Sequence, residues 1–321
     1  MQTNVVPLQR EEAGGSNPGR DLRAEIAALQ SADAKLTQSE IARQSGVNQA
    51  RLNQWLRGVY AGDNAAVEAE LARWLDAYRS RSHAARRMPP APAWVPTPSG
   101  ERVLAALGYA QLAGDIAVIY GGAGTGKTWT ARHHQATSPN VWVATVSPSC
   151  SGLVPALEAV AAAVGVDEVN GARKLSEAIK RRLRGTQGLL VIDDAQALGI
   201  AALDELRSIH DATGVGLALL GNETVYARMT GGTRAAYLDR LFSRVGKRVR
   251  LLRATQADVD RLAEAWRVAA DCKAVLREIA AQPGGLRLVT KVLRLATMTA
   301  EGERASREDL VAAWRSLGSD A

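Results

Sequence analysis

The chain of 321 residues is long enough for about two or three domains, and its 46% hydrophobic content allows a sizeable core. The excess of 40 Lys and Arg over 33 Asp and Glu, a net charge of +7, fits an anionic partner and fits an ordinary solvated surface equally well. Two cysteines far apart indicate neither a disulfide framework nor a zinc site, and no apolar run approaches the ~18 residues of a membrane span. Because the polar N-terminus shows no signal-peptide core, we expect a soluble cytoplasmic protein with no membrane partner.

Composition shifts along the chain predict five segments. Residues 1–20 are polar and glycine-rich and are expected to be a disordered tail. Residues 21–81 have a helical pattern and form a first domain. Residues 82–98 end in "MPPAPAWVPTP", which holds five of the eleven prolines and predicts an extended linker. Residues 99–252 are expected to form an α/β core, and residues 253–321 a C-terminal helical domain.

The first domain contains the pattern of a helix-turn-helix, "TQSEIARQSGVNQARLNQWLRG". Thr37 and Glu40 predict a capping box at the start of its first helix. Gly46 supplies the tight turn, and Asn48 caps a second helix that runs to Arg57.

The second of these helices leaves polar side chains facing outward. They can bond base edges or phosphates, as the recognition helix of a DNA-binding domain does. A small helical domain that binds another protein remains the alternative. The residues concerned are Gln49, Arg51, Asn53 and Gln54.

In residues 99–252, short β-branched and leucine-rich runs alternate with helical stretches. The runs are "IAVIY", "VWVATV", "GLLVIDD", "GLALLG" and "RVRLL". Such alternation predicts the α/β class, with a parallel sheet and helices on both of its faces.

A phosphate-binding loop follows the first of these strands. The sequence "GGAGTGKT" fits G-x-x-x-x-G-K-[ST], in which glycines let backbone N–H groups surround a phosphate chain. The lysine reaches the β- and γ-phosphates, and the threonine hydroxyl completes a Mg²⁺ site. We therefore predict ATP and Mg²⁺ as cofactors, bound by Gly121, Gly122, Ala123, Gly124, Thr125, Gly126, Lys127 and Thr128.

Two later strands add the residues of a hydrolytic site. "LLVIDD" ends in Asp193, predicted to hold Mg²⁺, and Asp194, predicted to polarise the attacking water. "GLALLGN" delivers Asn222, whose amide can orient that water as sensor-1 residues do in AAA+ proteins, although Asn after a strand is often only a turn residue. The alternative for Asp193 and Asp194 is that the two acids only end the strand and take no part in hydrolysis.

Arginines complete the order typical of an AAA+ ATPase. In such proteins an arginine before the last strand points into the neighbouring subunit and stabilises charge on the transferred phosphoryl group. Arg244 is favoured, because "SR" resembles the Ser-Arg motif of clamp loaders, while Arg240 and Arg248 remain candidates. Arg287 in "PGGLRLV" takes the place of a sensor-2 arginine. A site shared between subunits implies an oligomer.

Segments that include and extend these motifs resemble the Mu B transposition protein family, the AAA+ target-DNA activators of transposable bacteriophages. The resemblance runs almost end to end and is carried by "RWLDAY", "NVWVATVSPSC", "RRLRGTQGLLVIDDAQAL", "LLGNETVYARMTGG", "RLFSRVGKR" and "PGGLRLVTKVLRLATMTA". It implies a phage- or prophage-encoded protein that binds ATP and forms helical filaments on double-stranded DNA with little sequence preference. It further implies delivery of that DNA to the transposase, stimulation of strand transfer, and target immunity.

One residue departs from the family pattern. The family's Walker B motif, which is the strand that ends in two acids, reads Asp-Glu. This chain has Asp194 in the second position, and aspartate is shorter than glutamate by one methylene. The resemblance therefore leaves ATP binding intact, while the shorter acid predicts slow basal hydrolysis that rises with DNA and transposase. Two rival functions remain: a helicase-loader-like AAA+ protein, and an ATP-switched transcription regulator that uses its helix-turn-helix.

Two groups of basic residues are candidate contacts to DNA phosphates. Arg287, Lys291 and Arg294 share one helix face, which can serve nucleotide, DNA or transposase. The other group lies in "ARKLSEAIKRRLRG", where a solvated helix face with an intersubunit salt bridge is the alternative; it comprises Arg173, Lys174, Lys180, Arg181, Arg182 and Arg184.

Overall fold

The computed structural model describes residues 21–87, 92, 94–167, 171–230, 244–300 and 304–318. The chain forms two compact units, Met1–Arg87 and Met88–Ala321. The predicted tail, residues 1–20, lies outside the described residues. Among the described residues, no helix combines the length and the apolar surface that a bilayer span requires.

The described part of the N-terminal unit, residues 21–87, contains four helices: α1 (Leu22–Ala32), α2 (Gln38–Ser45), α3 (Gln49–Leu56) and α4 (Asn64–Arg87). Thr37 and Asn48 cap α2 and α3, and Gly46 ends α2 at a φ of +79°, as the sequence predicts. Ile41, Leu52 and Trp55 are buried with apolar residues of α1 and α4, so the two short helices have a common core.

Three details of this unit differ from the sequence predictions. The capping box is only half formed, because Glu40 bonds Arg43 and Gln44 instead of the backbone at Thr37. The predicted linker starts too early, since α4 continues to Arg87. Arg51 does not point fully outward: it is half-buried, with its guanidinium 6.0 Å from the centre of the Tyr60 ring.

The second unit contains a parallel sheet of five strands, which confirms the predicted α/β class. The strands are β1 (Ile116–Gly121), β2 (Val141–Thr145), β3 (Leu189–Asp193), β4 (Gly216–Gly221) and β5 (Val245–Leu251), in the order β2-β3-β4-β1-β5. All five carboxyl ends therefore lie at one edge of the sheet.

Helices cover both faces of this sheet because its strands are apolar on both sides. Ile116 and Val118 pack into one core, and Ala117 and Ile119 pack into the other. The first core includes α7 (Leu153–Val164), α8 (Ala172–Leu183) and α9 (Ile200–Thr213), and the second includes α5 (Pro98–Ala113) and α6 (Lys127–Thr137). Helix α10 (Glu223–Thr230) follows β4.

Among the described residues after the sheet, 252–300 and 304–318, there are four helices: α11 (Gln256–Ala265), α12 (Lys273–Ala281), α13 (Gly285–Thr299) and α14 (Arg307–Ser316). They have a core of their own, which includes Leu276, Val289, Leu293 and Leu310. We refer to these four helices as the lid.

Candidate nucleotide site

The glycine-rich loop joins β1 to α6, and two of its glycines are required by close backbone contacts. A Cβ on Gly121 would lie 2.0 Å from the carbonyl oxygen of Leu251, at the end of β5. A Cβ on Gly124, whose φ is +73°, would lie 1.8 Å from the carbonyl oxygen of Gly284. The loop is therefore wedged between the sheet and the lid, in a conformation that a larger residue would break.

Lys127 begins α6 with its amino group turned onto the loop. Its Nζ donates to the carbonyl oxygens of Gly122 at 2.7 Å and Gly121 at 3.0 Å, and to the hydroxyl of Thr125 at 3.3 Å. Burial lowers the pKa of Lys127, while the nearby charges of Asp193 and Asp194 act in the opposite direction. The ammonium group thus lies at the centre of the loop, where phosphate oxygens can replace carbonyls as its partners.

Asp193, the last residue of β3, meets Thr128 of the loop. Its side chain is 3% exposed and accepts a hydrogen bond from the Thr128 hydroxyl. Burial raises the pKa of this carboxyl, and the bond from Thr128 lowers it in part. A carboxylate and a hydroxyl side by side are oxygen ligands of the type that Mg²⁺ uses together with phosphates, so the residues fit that ion.

Asp194 has a left-handed backbone with φ of +59° and ψ of +35°, and its side chain is exposed. It lines an open groove of about 480 Å³ together with Ser147, Pro148 and Ser151 of the segment after β2. Water can therefore reach its carboxylate from the groove, next to the buried Asp193.

Asn222 lies where predicted, directly after β4. Its side-chain oxygen accepts from the backbone N–H of Thr224 at 2.9 Å and so caps α10, the turn role that the sequence left open. Its backbone N–H donates to the side chain of Gln196 at 3.3 Å, and Gln196 also donates to Asp194. Sequence reasoning overlooked Gln196, because the motif patterns give that position no role.

Arg244 lies at the other edge of the sheet, immediately before β5. Val245 pairs with Ile116 at the start of β1, so Arg244 is one strand length, roughly 20 Å, from the loop of its own chain. Its Nε donates to Asp211 of α9 at 2.8 Å, and 42% of its side chain is exposed. Arg248 is exposed on β5, and Arg240 lies outside the described residues.

The lid contacts the glycine-rich loop at the start of α13. The backbone N–H of Leu286 donates to the carbonyl oxygen of Gly124 at 2.9 Å. The next residue, Arg287, is exposed and lies close enough for its charge to lower the pKa of Lys127, the smallest of the effects on that group. Lys291 and Arg294 are exposed on the same helix.

A buried carboxylate that the sequence did not single out joins the lid to the start of the α/β core. Asp258 of α11 is 0% exposed and accepts from the backbone N–H and hydroxyl of Ser99, at 2.8 and 2.7 Å. It accepts from the same two groups of Thr255, each at 2.8 Å. Burial acts to raise the pKa of Asp258, but these four bonds outweigh it and hold the pKa below the usual value.

The end of the predicted linker belongs to this unit and packs against it. The Trp94 ring stacks on His133 of α6 with centroids 4.2 Å apart, and its indole N–H donates to Thr130 at 3.4 Å. Val95 packs against the lid core, and Thr97 caps α5. Residues 94–97 are therefore no free spacer, because their large apolar side chains find partners on the phosphate-loop helix and the lid.

The basic residues of α8 divide into two groups. Arg173, Lys174 and Arg181 are exposed on one face of the helix, and Arg184 is exposed just after its end. Lys180 instead pairs with Glu205 of α9 at 3.3 Å.

Arg182 lies on the opposite side of α8. Its Nε donates to the carbonyl oxygen of Val164 at 3.1 Å, and its guanidinium lies 5.5 Å from the centre of the Trp142 ring. The six basic residues therefore do not share one surface: Lys180 is mostly buried in its ion pair, and Arg182 is exposed on another side of the helix.

The polar residues of α3 differ in their surroundings. Gln49 donates to the hydroxyl of Ser39 at 2.8 Å, which joins α3 to α2. Asn53 is half-exposed and Gln54 exposed.

Two family models match the chain. An AAA domain covers residues 112–229, and the model described as "Mu B transposition protein, C terminal" covers residues 243–317. Both matches agree with the order of motifs around the loop, the two acids and the lid.

The chain is also similar to curated proteins over most of its length. It is 38% identical over 304 residues to the "ATP-dependent target DNA activator B" of Escherichia phage Mu, which covers 94% of this chain and 96% of the relative. Identity to the protein of the same description from Escherichia phage D108 is again 38%, with the same coverage. The "Mu-like prophage FluMu DNA transposition protein B" of Haemophilus influenzae is 37% identical over 81% of this chain and 91% of its own length.

Proposed function

Since the chain belongs to the Mu B family of target DNA activators, we propose that it is an ATP-dependent AAA+ ATPase that binds target DNA in transposition. The observation that carries the proposal is the conjunction of Lys127, Thr128 and Asp193 at the carboxyl edge of a five-stranded parallel sheet. Ligands of open α/β sheets bind outside the carboxyl ends of the strands.

In the proposed site, the loop of residues 121–128 binds the phosphates of ATP. Lys127 exchanges the carbonyl oxygens of Gly121 and Gly122 for β- and γ-phosphate oxygens. Thr128 and Asp193 hold Mg²⁺, which supplies charge neutralisation for the phosphates. Arg287, near Lys127 at the start of α13, contacts the nucleotide from the lid.

Hydrolysis is proposed to use residues of two subunits. Asp194 and the side-chain amide of Asn222 orient the attacking water, and Arg244 of a neighbouring copy stabilises the charge on the phosphoryl group. This division is supported by the separation of Arg244 from its own loop and by its exposure at the amino edge of the sheet. Arg240 and Arg248 are the remaining candidates for that role.

DNA binding is proposed to be electrostatic and indifferent to sequence. The exposed face of α8, with Arg173, Lys174 and Arg181, can neutralise phosphates of any duplex. In the N-terminal unit, Gln49 and Asn53 on α3 are proposed as a second set of DNA contacts.

The same family membership supports a proposal about assembly and partners. We propose that copies associate into ATP-dependent helical filaments on double-stranded DNA, deliver it to the transposase and stimulate strand transfer. Hydrolysis, increased by the transposase, would release the filament and so protect DNA near the element's own ends.

The test is electron microscopy of the purified protein with random duplex DNA, with and without ATP and Mg²⁺. Filaments are expected on DNA of any sequence, and they are expected only when ATP and Mg²⁺ are present. Lys127→Ala removes the charge that meets the phosphates, so ATP binding and filaments should be lost together. A mutant that coats DNA as well as the unchanged protein would refute the ATP switch, and protection of a single site would favour a transcription regulator.

A further inference from the structure

Gln196 connects two residues of the proposed hydrolytic site. It lies in the short 3₁₀ turn Ala195–Ala197 that follows Asp194. Its Nε2 donates to Oδ1 of Asp194 at 3.0 Å, and its Oε1 accepts from the backbone N–H of Asn222 at 3.3 Å. One side chain thereby ties the end of β3 to the end of β4.

The sheet provides room for this bridge at Gly221, the last residue of β4. A Cβ on Gly221 would lie 2.4 Å from Oε1 of Gln196 and 2.4 Å from a methyl group of Val225. Any side chain at this position would displace the Gln196 amide.

The bridge matters because, in the part of the chain that the structure describes, the Asp194 carboxylate otherwise faces an open groove. Its carboxylate is exposed at the rim of the groove on a short side chain, and a water-orienting acid has to be within about 2.6–3.2 Å of the water. An amide that donates to one carboxylate oxygen restricts the rotation of the group and leaves the other oxygen for the water.

We propose that Gln196 is the positioning residue for Asp194, through the N–H bond that it donates; this rests on the proposed ATP hydrolysis. In that step the water oxygen bonds to the γ-phosphorus, and the bond to the bridging oxygen breaks with its electron pair going to ADP. The proton of the water passes by way of the Asp194 carboxylate to solvent. Gln196 touches none of the reacting atoms and acts only on the direction of the carboxylate.

The first variant is Gln196→Ala, measured by phosphate release from the full chain with DNA and saturating ATP. We expect kcat to fall about tenfold, the usual effect of losing one hydrogen bond to a charged group, with KM for ATP unchanged. Gln256→Ala, an exposed glutamine on the lid, is the matched control and should behave as the unchanged protein. Equal thermal unfolding temperatures establish that both variants are folded.

The second variant is Gln196→Glu, which separates positioning from simple bracing of the turn. Glutamate keeps the oxygen that accepts from Asn222 but cannot donate to Asp194. A positioning role predicts a kcat at least as low as that of Gln196→Ala. Recovery of kcat in Gln196→Glu, or a normal kcat in Gln196→Ala, would overturn the inference while leaving hydrolysis in place. If the unchanged protein released no phosphate at all, the proposed hydrolysis would fall and the inference with it.

Discussion

The two edges of the sheet differ in how they hold their charged groups. At the carboxyl edge, Lys127 and Asp193 are enclosed by the loop, the strands and the lid, and the partners of each lie within the same chain. At the amino edge, Arg244 is bonded to Asp211 at the surface and extends partly into solvent.

This difference explains why one copy of the chain holds only part of the proposed site. The carboxyl edge supplies the phosphate loop and the acids, but Arg250, the arginine of β5 nearest that edge, pairs with Glu223 at 3.0 Å. An arginine from the amino edge can reach phosphates only in another subunit. Hydrolysis should therefore depend on assembly, whereas nucleotide binding should not.

The largest effect is expected from a substitution that changes only the amino edge of the sheet. Arg244→Ala should lower the rate of ATP hydrolysis in the presence of DNA about 10³-fold, because an arginine acting in trans contributes at least that factor. ATP affinity should remain unchanged. Phosphate release measures the rate, and Arg207→Ala, which removes the other arginine bonded to Asp211, is the control.

A mixture of variants tests the contribution in trans directly. Arg244→Ala keeps an intact loop and both acids, and Asp194→Asn keeps ATP binding and an intact arginine, so mixed assemblies contain some complete sites. Recovery of phosphate release on mixing supports the two-subunit site, whereas no recovery means that Arg244 acts elsewhere.

The next largest effect is expected at Asp258, which joins the lid to the start of the α/β core. Asp258→Asn replaces an acceptor oxygen by a donor among four donated bonds, so we expect a loss of about 2–4 kcal/mol in the free energy of unfolding. Urea unfolding at pH 7 measures it, with Asp309→Asn, in an exposed cap of the lid, as a milder control.

The pH dependence of that loss has a definite sign. Because the pKa of Asp258 is lowered in the folded protein, its contribution is complete above the unfolded value of about 4 and disappears as pH falls through the folded pKa. The difference between the two proteins should be constant near neutrality and shrink below about pH 4. A difference that grew with acid would contradict the assignment.

Sequence patterns predict the carboxyl edge better than the surfaces around it. The glycines, Lys127 and the two acids have fixed backbone requirements at fixed spacings, and the motif therefore specifies where they lie. Lys180 and Arg182 look the same in sequence as the other basic residues of α8. Whether a long cationic side chain meets water or Glu205 and Trp142 depends on helices and strands that are distant in the chain.

The prediction of an extended linker misses the packing of residues 94–97 for a related reason. Proline content predicts an extended backbone, but it does not predict that Trp94 stacks on His133. Gln196 and Asp258 escaped notice because each acts through hydrogen bonds to a different strand or helix, and such contacts have no signature in local sequence.

A smaller effect is expected on the basic face of α8. The triple change Arg173→Ala, Lys174→Ala and Arg181→Ala should weaken binding to random duplexes about tenfold and reduce the salt slope by up to about three units. Arg182 is left unchanged because it packs on Trp142.

A lid variant with the same loss of charge is the control, since it separates a local contact from net charge. It carries alanine at three exposed arginines, Arg261, Arg304 and Arg315. Equal salt slopes for the two triple variants would return α8 to the solvated-face interpretation. Titration of fluorescent DNA at several salt concentrations measures both.

The smallest effect is expected of Asp194→Glu, at a position where the backbone and the chemistry favour different residues. The left-handed φ of +59° is tolerated better by aspartate than by glutamate, which gives a physical reason for the short acid at this position. Asp194→Glu should therefore lower the unfolding temperature slightly. Its longer side chain reaches the water without the bridge from Gln196, so basal phosphate release should rise a few-fold and filaments should be shorter-lived.

Asp194→Asn keeps the backbone conformation and loses the charge, so it should bind ATP and form persistent filaments with little hydrolysis. Phosphate release and filament lifetime, measured alone, with DNA and with DNA plus transposase, distinguish these outcomes. Normal hydrolysis by Asp194→Asn would mean that another residue orients the water.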